Sequence, residues 1–136
     1  MRDIKFRAWD AFKSVWICEG YHVIGEVTMF GLIDQHVQES RHGIPSLEYY
    51  NHILETQFIG LTDKNGKEIY EGDVVGYNNE MKASWVIEYR ANEFIGIPLK
   101  SNMSVYQYEL HNRNYLQFEV VGNIFESVEL ANATTN

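Results

Sequence analysis

The chain has one cysteine, Cys18, among 136 residues. An intramolecular disulfide is therefore impossible, and so is a zinc site built on cysteines. Beside Trp16 and Ile17, Cys18 reads as a small core residue rather than a nucleophile. There are two prolines and ten glycines, so neither a proline-rich linker nor a low-complexity segment is present. No apolar run approaches the roughly 18 residues of a membrane-spanning helix. The opening Met1-Arg2-Asp3-Ile4-Lys5 leads straight into an alternating pattern without a signal-peptide core, which predicts a cytoplasmic protein. Basic residues are scarce: 11 lysines and arginines face 19 aspartates and glutamates, for a net charge of −8. Residues 1–56 carry five basic and eight acidic groups and residues 57–126 six and ten, so neither part is basic. Phosphate-backbone binding relies on clustered cations that release counterions, and this balance argues against it.

Motifs for chemistry are missing as well. There is no Gly-x-x-x-x-Gly-Lys-[Ser/Thr], no Gly-x-Gly-x-x-Gly, no Gly-x-Ser-x-Gly and no His-Glu-x-x-His. The five histidines, His22, His36, His42, His52 and His111, lack the i, i+4 spacing of a helical metal site and read as solvated loop residues. Asp63, Asn65 and Asp73 hint at calcium, but the EF-hand loop pattern is absent and turn chemistry explains them better. The expectation is a protein with no catalytic residue, no metal, no cofactor and no small-molecule substrate, whose stability is indifferent to chelators and reductants.

What is present is apolar and aromatic content, 45% and 14% of the chain, which is enough for a packed core. Ile4, Phe6 and Ala8 alternate with Lys5, Arg7 and Trp9 as a half-buried strand does. Asp10 to Ser14 reads as a turn and Val15 to Ile17 as the returning strand. Tyr21 to Ile33 reads as one or two strands, and Asp34 to Gly43 as a polar loop with a helical turn. Pro45 suits the start of a short helix through Tyr50, with Leu47, Tyr50 and Leu54 at helical spacing.

The stretch from Gln57 to Val75 is the clearest. Asn65-Gly66 between pairable segments predicts a two-residue type I′ hairpin, and Gly72-Asp73 a second turn before Val74-Val75. Strands follow at Val74–Tyr77, Ala83–Arg90 (Trp85, Ile87 and Tyr89 on one face), Phe94–Leu99, Val105–Leu110 and Phe118–Phe125, with Phe118, Val120 and Ile124 together. Turns fall at Asn78-Asn79-Glu80, Ala91-Asn92-Glu93 and Asn112-Arg113-Asn114. Short strands at such spacing suggest a small barrel. The organisation expected is an N-terminal β-rich subdomain over 1–56, a barrel over 57–126 and a tail over 127–136.

Three segments carry a resemblance: Ile4-Lys5-Phe6-Arg7-Ala8-Trp9-Asp10, the run from Gln57 to Val75, and Phe118 to Glu126 closed by Glu129-Leu130. In order and spacing they resemble the YopX family of phage- and prophage-encoded proteins. The resemblance implies an α+β, predominantly β fold containing an SH3-like barrel, and no enzymatic activity.

The aromatics are the remaining resource. Tyr77, Trp85, Tyr89, Tyr106 and Tyr108 exceed what turns require, so they divide between cross-strand packing and a partner-facing groove. Three readings follow. The first is a non-enzymatic accessory module of a phage or prophage, in the cytoplasm of the bacterial host, acting through a protein partner or self-association. The second is a nucleic-acid-binding SH3-like barrel, which needs Lys64, Lys67, Lys82, Arg90 and Lys100 on one face. The third is an enzyme, which needs a deep pocket with convergent histidine and carboxylate groups.

Overall fold

The structure is a computed structural model that describes residues 3–22, 28–77, 80–99, 108–109 and 118–127, with backbone alone at 77, 80–83, 108 and 109. The fold is α+β and predominantly β: nine strands and two short helices among the described residues. The chain divides into two compact units, Met1–Phe58 and Ile59–Asn136.

In the first unit, β1 (Lys5–Asp10) lies between β2 (Val15–His22) and β3 (Ile53–Thr62), antiparallel to both. Two register shifts within the β1–β2 pair bend the ribbon. Between β2 and β3 come α1 (Met29–Ser40) and α2 (Ser46–Tyr50). The core gathers Ala8 and Cys18 from the strands with Met29, Ile33, Val37 and Tyr49 from the helices.

Helix α1 corrects the expectation of strands to Ile33 and a loop beyond. Thr28 caps it, its hydroxyl accepting from Gly31 N at 3.0 Å. Met29, Ile33 and Val37 recur every fourth residue and are all buried. Their stripe is masked in the sequence by β-branched neighbours and by Gly31, which disfavours a helix by roughly 1 kcal/mol relative to alanine. The expected short helix is there as α2, but Pro45 caps it from one position outside instead of opening it, and the helix buries Tyr49. Leu47 is exposed, and Leu54 belongs to β3.

In the second unit the continuation of β3 turns into β4 (Glu68–Tyr70). The strands β5 (Asp73–Tyr77), β6 (Glu80–Arg90), β7 (Glu93–Pro98), β8 (Tyr108–Glu109) and β9 (Phe118–Asn123) pair in the order β8-β7-β6-β5-β9. Strand β6 is covered on both faces. Trp85 and Ile87 pack with Ile59, Ile69, Val75 and Phe118, while Val86 packs with Val74 and Leu99. A register shift between Val74 and Val75 opposite β9 places Val120 with the first cluster and Val121 and Ile124 with the second. Ile124 therefore does not share the face of Phe118 and Val120 that strict alternation gives it. Asn78, Asn79, the 112–114 turn and residues 128–136 lie outside the described residues.

The Asn65-Gly66 hairpin is real, but its turn differs from type I′. Gly66 has φ +83° while Asn65 is not left-handed. Gly66 N donates to Asp63 O at 3.0 Å and Asp63 N to Lys67 O at 2.8 Å. This is a three-residue loop, a type I turn followed by a left-handed glycine. Asp63 selects it: Oδ1 accepts from Asn65 N at 2.8 Å and Lys67 N at 2.9 Å, while Oδ2 accepts from Val120 N at 2.9 Å. A Cβ at Gly66 meets nothing within 4 Å, so only backbone strain opposes substitution. Gly66→Val is expected to cost about 1–2 kcal/mol, and Lys67→Ala close to nothing. Equal shifts of the melting temperature in the two variants would contradict this turn.

The left-handed pair of a type I′ turn is found instead at β6–β7, where Ala91 (φ +51°) and Asn92 (φ +65°) join the paired Arg90 and Glu93. Alanine is strained there, and asparagine is the preferred residue. Ala91→Asn is expected to stabilise the protein by about 0.5–1 kcal/mol, read as a rise in melting temperature. A fall would contradict the turn assignment.

Candidate functional site

The densest polar constellation among the described residues is built around Asp10, in the first unit. Asp10 ends β1 and is fully buried. Its Oδ1 accepts from the backbone amides of Phe12 at 2.8 Å and Lys13 at 3.0 Å, which fixes the β1–β2 turn. Its Oδ2 accepts from His36 Nε2 at 2.6 Å and from the Tyr49 hydroxyl at 2.7 Å. One carboxylate thus joins the turn to both helices. Phe12 packs at a tilt against Tyr49, with ring centroids 4.9 Å apart, and against His52 at 3.8 Å. Ser40, the last residue of α1, is also buried.

Burial pushes the Asp10 carboxyl up, but the bonds from His36, Tyr49 and the two amides outweigh it, so its pKa lies below the ordinary 3.8. Burial, and then the Asp10 carboxylate, push the Tyr49 phenol up to about 12. An ionised carboxylate can only accept, so the proton shared with His36 sits on Nε2. This is the orienting half of a Ser-His-Asp arrangement. The nucleophile is not in place, since among the described residues no hydroxyl or thiol hydrogen-bonds Nδ1 of His36. The arrangement clasps elements together.

His36 is therefore on a helix and anchored, contrary to its reading as a solvated loop residue. The sequence held a faint signal. His36 follows Ile33 by three and precedes Ser40 by four, on the border of the buried stripe. Nothing local ties it to Asp10, 26 residues away. Among the described residues no three His, Cys, Asp or Glu side chains converge as metal ligands.

The second unit repeats the device. Asp63 is buried; burial raises its pKa, but the amides of Val120, Lys67 and Asn65 and the charge of Lys67 lower it further. Asp73 Oδ2 accepts from Tyr70 N at 2.8 Å. Asn123 Oδ1 accepts from Phe125 N at 3.0 Å and Glu126 N at 2.8 Å. These residues serve turns.

The candidate aromatics divide. Trp85 is a core residue, 5.3 Å from the Phe118 ring. Tyr89 is 53% exposed and rests on Phe94 at 5.0 Å across the β6–β7 pair. It shares the strand face of Trp85 and Ile87 but lies next to the hairpin tip, beyond the core. Tyr106 lies outside the described residues, as do the side chains of Tyr77 and Tyr108. Of the basic candidates, Lys64 approaches Glu119 at 3.9 Å and Arg90 pairs with Glu88 at 2.7 Å. Lys100 and the side chain of Lys82 lie outside the described residues. Among the described residues no helix is long and apolar enough to cross a membrane.

A crystal structure of protein EF1440 from Enterococcus faecalis is similar to this chain, with a TM-score of 0.60 at 21% identity, covering 96% of this chain and 99% of that one. At that identity the likeness shows the fold alone. No curated protein matches the chain. The family described as YopX protein matches residues 5–132, nearly the whole length, and the chain belongs to that family.

Proposed function

We propose that this protein is a non-enzymatic accessory module encoded by a phage or prophage, acting through protein contacts in the cytoplasm of a bacterial host. The observation that carries this reading is the use of its buried carboxylates. Asp10 and Asp63 each spend both oxygens on hydrogen bonds that fix turns and neighbouring elements. Such groups stay ionised and fully bonded, whereas acid–base catalysis needs a proton poised near neutrality. The family resemblance supports the phage context. The five-stranded antiparallel sheet of the second unit, in the order β8-β7-β6-β5-β9, supports its reading as an SH3-like barrel. The net charge of −8, together with acidic neighbours at Lys64 and Arg90, favours a protein partner over nucleic acid. Tyr89 is the candidate contact in the second unit, because an exposed tyrosine offers a large contact area at low entropic cost.

The test is affinity purification of the tagged protein from phage-infected host cells, with bound proteins and nucleic acids both identified. A stoichiometric protein partner, or self-association, is the expected result. Recovery of nucleic acid that is lost steeply with salt would overturn the proposal in favour of the nucleic-acid reading.

A further inference from the structure

We draw no further inference here: the strongest candidate, the apolar surface that Phe30 of α1 and Leu47 of α2 leave exposed in the first unit, has nothing in the structure to show what covers it.

Discussion

Gly72→Ala is expected to be among the most damaging single-methyl additions in the protein. Gly72 has φ +90°, and a Cβ there would lie 2.4 Å from Phe125 Cε2 and 2.8 Å from Cζ. The backbone is held from both sides, Gly72 N donating to Ile87 O at 2.8 Å and Gly72 O accepting from Ile124 N at 3.0 Å. The glycine cannot move away without breaking the β5 turn, so the ring must be displaced. Strain of the left-handed residue and overpacking together predict a loss of about 2–4 kcal/mol, or a melting temperature lower by roughly 10 °C. A double-mutant cycle separates the two terms. In a Phe125→Ala background the same substitution should cost markedly less, leaving only the backbone part. Equal costs in both backgrounds would show that contact with the ring is not the cause.

Asp10→Ala is expected to have an effect as large in the first unit. It strips the Tyr49 hydroxyl, His36 and two turn amides of one shared acceptor, the four groups belonging to two different helices and a turn around a fully buried point. Leaving buried donors unsatisfied costs about 1–3 kcal/mol each before relaxation, so a loss of about 3–5 kcal/mol is predicted. His36→Gln, which keeps a donor and leaves the rest of the knot intact, should cost under about 1 kcal/mol.

The same carboxylate predicts the acid response. The folded-state pKa values of Asp10 and Asp63 are both depressed. Below the ordinary 3.8 the unfolded chain binds protons that the folded chain refuses, so stability is lost as pH falls from there through the lower folded values. Above that range the contribution is complete and flat. In Asp10→Asn, denaturant melts between pH 5 and pH 2 should show a shallower decline than in the parent. An unchanged slope would mean that Asp10 titrates normally in the folded protein.

What the sequence disclosed was local. Asp63, Asn65 and Gly66 specify a hairpin within five residues, and the hairpin is there, although Asp63 selects the three-residue loop over the two-residue one. Helix α1 was hidden because three apolar residues at helical spacing compete with Gly31 and the aromatic and β-branched residues upstream. The Asp10–His36–Tyr49 knot was invisible because its members are 26 and 39 residues apart and only tertiary packing brings them together. Among the aromatics, alternation gave parity and not depth. Trp85 and Tyr89 share a face of β6, yet only Trp85 lies under the neighbouring strands.

The claim that this protein works through a surface is tested most directly by Tyr89→Ala beside Trp85→Ala, each followed by thermal melting and by partner recovery or self-association in analytical ultracentrifugation. Tyr89→Ala should melt within a few degrees of the parent and lose the association, while Trp85→Ala should unfold at a much lower temperature. If Tyr89→Ala keeps both its fold and every association, the β6–β7 surface is not the contact, and the account is contradicted.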